Sequence, residues 1–180
     1  SDKTEKILHD LYQGSQSHIR KVIEKLSAFA EEKGSNYRPI YDSIVSDYAE
    51  KTVRERHVAK AIYHFLADCT GEDQKRELIA LLGDAQFDLS DGAKAQNDIR
   101  SALLKNGKPA YIEEGDDAFL PLQDVIEIIL DGRGIPTYPV LADDSAPLNE
   151  VEKDPHAMVE RLQGLGIHAV EFIPLRNTLD

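Results

Sequence analysis

Two short apolar runs near the carboxyl end constrain this chain most: IPTYPVLADD (Ile135–Asp144) and IHAVEFIP (Ile167–Pro174). Each follows a helix-like segment and is led in by a glycine, Gly134 and Gly166. The order reads helix, strand, helix, strand, and the nearly continuous apolar character predicts parallel strands covered on both faces. Asp143 and Asp144 then stand at the carboxyl end of a strand, where α/β sheets place their chemistry. Two or three such strands leave backbone groups exposed at their edges, so this portion reads as an incomplete α/β unit.

The two helices of this portion have their own signals. Pro121 suits the first helical position before Leu122–Leu130, which stops at Asp131-Gly132-Arg133-Gly134. Asp154-Pro155 supplies a cap and a proline for a helix over His156–Gln163, with Ala157, Met158, Val159 and Leu162 inward.

Residues 1–106 read as a helical subdomain, and residues 107–180 as a partial βαβ unit. In the first, residues 4–33 repeat apolar side chains at three and four spacing: Ile19, Val22, Ile23, Leu26, Phe29 and Ala30. The run forms one helix, or two divided at Gly14 and Ser15–Ser17, and stops at Gly34. A short helix over Tyr37–Tyr48 follows. Thr52 suits the cap of the next, whose stripe is Val53, Val58, Ala61, Ile62, Phe65 and Leu66. Two shorter helices are predicted over Lys75–Leu82 and Asn97–Leu104. After Gly107 the segment Pro109–Ile112 reads as extended.

Composition excludes several classes. At 180 residues, with 41% hydrophobic and 30% charged residues, the chain is a folded protein of one core or two small ones. No apolar run approaches the roughly 18 residues that span a bilayer, and the first ten residues lack a signal-peptide layout. One cysteine, Cys69, forms no internal disulfide and fits a cytoplasmic setting. A net charge of −12 disfavours an extended nucleic-acid duplex as partner, because neutralising many phosphates takes clustered Lys and Arg. A local basic spot at Arg54, Arg56 and Lys60 still leaves room for a single phosphate group.

The candidate chemical residues each carry a plainer alternative. Asp143 and Asp144 can bind a metal or act as a base, or cap a turn. Glu171 interrupts an apolar run: it ligates, orients a ligand or pairs with Arg176 if buried, and faces water if its strand is an edge. Arg176 and Asn177 end that strand and suit an anionic substrate. His57, beside Arg54 and Arg56 at a helix start, reads as a phosphate contact or a solvated helix face. His9, His18 and His64 lack metal-ligand spacing, and Gly-rich phosphate loops are absent from the sequence.

Three stretches in this order resemble the polymerase and histidinol phosphatase (PHP) family of metal-dependent phosphoesterases. ERHVAKAI (Glu55–Ile62) is similar to the family's Arg-Pro-His-Ile-Ala-Arg-Ala helix. GKPAYIEEGDDAFLPLQDVIEIILDGRGIPTYPVLADD (Gly107–Asp144) is similar to its Pro-Ala-Tyr stretch, helix and Gly-Gly-Val-Pro-Val-Leu-Ala-His-Pro strand. GLGIHAVEFIPLRNT, ending at Thr178, is similar to its Gly-Leu-Asp-Gly-Ile-Glu-Val-Tyr strand. Together they cover roughly residues 18–178.

The resemblance implies an α/β fold: a large helical insert beside part of a distorted (βα)7 barrel. It also implies hydrolysis of a phosphate ester by metal-activated water, with Zn, Mn or Fe in the parent protein. The substrate would be a phosphorylated small molecule or a short nucleotide. His57 matches the family's substrate-phosphate contact. The arginine two residues before it is Glu55 here, which passes that role to Arg54 or Arg56. Asp143 falls on a metal-binding histidine, and Glu171 on the strand glutamate. The family's opening His-x-His strand, its next ligands and its closing Asp-x-His pair have no counterparts in residues 1–180. The resemblance therefore implies an internal portion of such an enzyme, inactive alone and completed by the rest of the barrel or another subunit. Two other readings stand beside it: a non-catalytic interaction module, and a metabolite-binding domain using Asp143, Glu171 and Arg176.

Overall fold

The computed structural model describes residues 2–115, 119–140 and 152–172. Among them are seven α-helices, one π-helical turn and two short parallel strands. The chain is mostly helical, with a small α/β part. It divides into two compact units, Leu8–Ala118 and Ser1–Ile7 with Phe119–Asp180. The helical unit thus continues past residue 106, because Ala110 is buried in its core and Ile112 packs on it.

Helix α1 (Asp2–Glu32) runs unbroken through Gly14 and Ser15–Ser17. The predicted break fails because Gln16 falls on the same face as Ile19, Ile23, Leu26 and Ala30 and is buried with them. Gly34, at φ +72°, ends the helix, and Ser35 N–H returns to Ala30 O at 2.9 Å. That left-handed conformation favours glycine.

Helix α2 (Tyr41–Ile44) passes directly into a π-helical turn, Val45–Ala49. Glu50 follows at φ +57°, so the single helix expected over Tyr37–Tyr48 is shorter and reshaped. Helix α3 (Glu55–Asp68) has Arg54 and not Thr52 at its cap position. Helix α4 (Gly71–Leu82) includes Gly71–Asp73 in its first turn, where Glu72 and Asp73 complement the helix dipole. Helix α5 (Gly92–Leu103) begins before Asn97, because Asp91 Oδ1 accepts from the Ala93 and Lys94 N–H groups at 3.1 Å.

Helix α3 is the hub of this unit and packs most extensively against α5. Leu26, Ile62, Leu66, Ile99 and Leu103 are fully buried in the shared core. Each contributes roughly 1.5–3 kcal/mol from apolar burial. A polar clasp lies in the same core: Glu77 is 1% exposed and accepts from Ser35 Oγ at 2.6 Å and from Asn36 N–H.

In the other unit, helix α6 (Leu122–Asp131) starts just after Pro121, which takes the cap position. The turn after α6 is tight: Gly134 N–H reaches Ile129 O at 2.7 Å, and a Cβ there would lie 2.9 Å from Ile129 Cγ2. Strand β1 (Thr137–Pro139), helix α7 (Pro155–Gly164) and strand β2 (Ala169–Glu171) follow. The strands are parallel, with Tyr138 opposite Val170. Asp154 caps α7 as expected, accepting from His156 and Ala157 N–H groups.

Ile126, Met158, Leu162 and Ile167 form this unit's small core, with Tyr138 packed on it. Ala157 and Val159 point outward instead of inward. Thr137, Pro139, Val170 and Glu171 are likewise exposed, so these strands are not covered on both faces.

Candidate functional site

The start of α3 forms one wall of a cleft of about 490 Å³ in the helical unit. Arg54, Glu55 and Arg56 line it from α3, His18 from α1, Arg100 from α5 and Glu114 from the segment after α5. Three arginines and two glutamates therefore line one cleft on a chain of net charge −12. Arg54 and Arg56 are exposed and have no ion-pair partner among the described residues.

Glu55 is engaged from both sides. Arg100 Nε donates to its Oε2 at 3.0 Å and Lys105 Nζ at 2.9 Å. Burial by itself would raise the Glu55 carboxyl; the hydrogen bonds from Lys105 and Arg100 overcome it and hold the group below the usual carboxylate range. The pairing fixes Arg100 at the cleft and leaves Arg54 and Arg56 as its unpaired cations.

His57 sits in the first turn of α3 and is not among the cleft-lining residues. The Arg54 N–H donates to His57 Nδ1 at 3.2 Å, which satisfies a donor that the helix start leaves without an intrahelical partner. Nδ1 is thereby the acceptor of the ring, and the proton of neutral imidazole lies on Nε2. Burial lowers the His57 pKa, and the charges of Arg56, Arg54 and Lys60 push the same way, against a hydrogen bond with the Thr52 backbone.

The backbone leading into this site is held from α1. Gln16 Oε1 accepts from Val53 N–H at 3.0 Å, and Gln16 Nε2 donates to Val53 O at 3.3 Å. Tyr41 O–H adds a 2.6 Å bond to the same Oε1.

Arg54, Arg56 and His57 are thus brought together at one helix start, and Arg100 joins them. Glu171 is exposed on β2 in the other unit, where its carbonyl accepts from Val140 N–H at 3.0 Å. Asp143, Asp144 and Arg176 lie outside the described residues. No group of three or more His, Cys, Asp or Glu side chains suited to a metal ion occurs among the described residues. No helix of the described residues is long and apolar enough to cross a membrane.

Arg100 and Lys105 escape a sequence reading because their partner, Glu55, is remote along the chain. Gln16 left a clearer trace, a polar residue at an apolar position of the α1 stripe. No family model, curated protein or solved structure matches this chain.

Proposed function

We propose that the α3 cleft binds a phosphoryl group, and that this chain is the phosphate-binding portion of a PHP-like metal-dependent phosphoesterase. The observation that supports this reading is the convergence of Arg54, Arg56 and Arg100 on one cleft of an otherwise acidic chain. Guanidinium groups match phosphate oxygens in a planar, two-pronged geometry, and the first turn of a helix adds N–H donors and positive potential. In this reading His57 caps α3 and sets the backbone of Arg54. The ligand would be a phosphorylated small molecule or a short nucleotide, held by its phosphoryl end.

The described residues do not by themselves fit a multinuclear metal centre, since no three metal-ligating side chains converge among them. Zn, Mn or Fe would draw on Asp143 together with ligands from segments other than these. Barrel strands from the parent protein, or another subunit, would complete the sheet of β1 and β2.

The test is to express the natural reading frame on both sides of this segment, then measure metal content and phosphoester turnover. The reading expects bound metal and turnover, with turnover falling in Arg56→Gln. A metal-free protein without phosphoesterase activity would sink it.

A non-catalytic interaction module is the second reading, favoured by Ile135, Phe172 and Val170, which are 75%, 57% and 42% exposed around the strands. Sedimentation of the natural protein separates the two. A tight stoichiometric complex with another chain, formed without metal or turnover, would favour the module.

A further inference from the structure

We propose that Gln16 is the positioning residue of the α3 cleft, acting through the backbone of Val53 to place Arg54. The inference rests on reading the cleft as a phosphate site.

The connector from α2 to α3 is an unfavourable piece of chain. It contains the π-helical turn Val45–Ala49 and then Glu50, a non-glycine residue at φ +57°. A π turn is rare, and a positive φ is disfavoured for Glu by its Cβ, so local propensity does not hold this path. Something else must over-determine it.

Two side chains of α1, one turn apart, do so. Tyr12 O–H donates to Lys51 O at 3.2 Å, and Gln16 pairs with both the N–H and the C=O of Val53. Gln16 is 4% exposed and Val53 is 0% exposed, so these bonds are buried. Val53 immediately precedes Arg54, whose N–H is in turn fixed on His57 Nδ1. The chain of contacts runs Tyr41, Gln16, Val53, Arg54, His57. It sets the register at which α3 starts, and with it where Arg54 and Arg56 stand.

A merely structural role predicts lost stability alone. Positioning predicts a local loosening at Val53 and weaker phosphate binding in a protein that remains folded. The experiment compares the wild-type chain with Gln16→Met and with Ser35→Ala, which breaks the separate Glu77 clasp. Circular dichroism confirms folding, amide exchange is followed at Val53 and Arg54, and inorganic phosphate is titrated by NMR.

Gln16→Met is expected to speed Val53 exchange by roughly tenfold or more. It should weaken phosphate binding by about fivefold. Ser35→Ala should leave phosphate affinity within about twofold and speed Val53 exchange by no more than its loss of global stability accounts for. Equal phosphate affinity in Gln16→Met and wild type, or equal loss in Ser35→Ala, would overturn the proposal. Should Gln16→Met not fold, Tyr41→Phe removes only one bond to Oε1 and must still speed Val53 exchange. A wild type that binds no phosphate sinks the functional reading. Val53 exchange then decides the positioning claim by itself, unchanged exchange refuting it.

Discussion

The Arg54 N–H donates to Nδ1 of His57 at 3.2 Å, so one bond links the cap of α3 to the protonation state of its imidazole. Protonating Nδ1 would remove the acceptor. The folded-state pKa of His57 lies below its ordinary value, so the unfolded chain takes up the proton first as pH falls. Stability from this group is fully present above about pH 6.5 and is lost as pH falls toward the lowered folded value. Urea unfolding at a series of pH values should show that decline in wild type and its reduction in His57→Ala. The variant should also cost about 1 kcal/mol at neutral pH through the lost cap.

Glu55 works in two opposed directions. Its bonds to Arg100 and Lys105 stabilise the fold, yet its negative charge faces the anion the cleft is proposed to hold. The Glu55 side chain is 27% exposed and its partners 37% and 46%, so solvent screens the pair. Glu55→Gln should therefore cost only about 0.5 kcal/mol of stability. The same change should tighten phosphate binding about threefold at low salt. Because the folded pKa is lowered, the stabilisation is present above the ordinary carboxylate pKa and disappears as pH falls through the folded value. Unfolding and phosphate titration of one variant check both signs.

Tyr37 is 6% exposed, packs on Phe65 at 4.9 Å, and its hydroxyl has no hydrogen-bond partner among the described residues. Burial, aided by Tyr48, pushes its phenol well above the ordinary range. Removing a buried unsatisfied hydroxyl relieves a desolvation cost. Tyr37→Phe is expected to stabilise the protein by up to about 1 kcal/mol, read from the urea midpoint at constant slope.

The Glu77 clasp should respond in the opposite way. Ser35→Ala removes the 2.6 Å donor to a carboxylate that is 1% exposed. The Asn36 N–H and Arg76 contacts remain, so the expected loss is about 1–3 kcal/mol and the fold survives. Thermal unfolding of the variant measures it.

Periodicity and capping chemistry made much of the fold legible in the sequence. The stripe of α3 and the Asp154-Pro155 start of α7 follow from local patterns, and the parallel pairing of β1 and β2 agrees with the order helix, strand, helix, strand although its strands are not covered on both faces. What escaped depends on distance along the chain. Gln16 stands in a Gly and Ser stretch that leaves one helix or two open, and its burial with the α1 stripe and its bonds to Val53 go with the unbroken helix. The sequence points to Thr52 as the α3 cap because Arg54 is a poor capping residue. Its bond with His57 is what selects it. The Arg54, Arg56 and His57 group was visible as a cluster, whereas Arg100 needed the packing of α5 on α3.

Titration of inorganic phosphate into wild type and Arg56→Gln tests whether the α3 cleft binds a phosphoryl anion through its arginines. Saturable one-to-one binding is predicted, weakened about tenfold in the variant and further by added salt. Absence of saturable binding in wild type, or equal affinity in Arg56→Gln, would contradict the account.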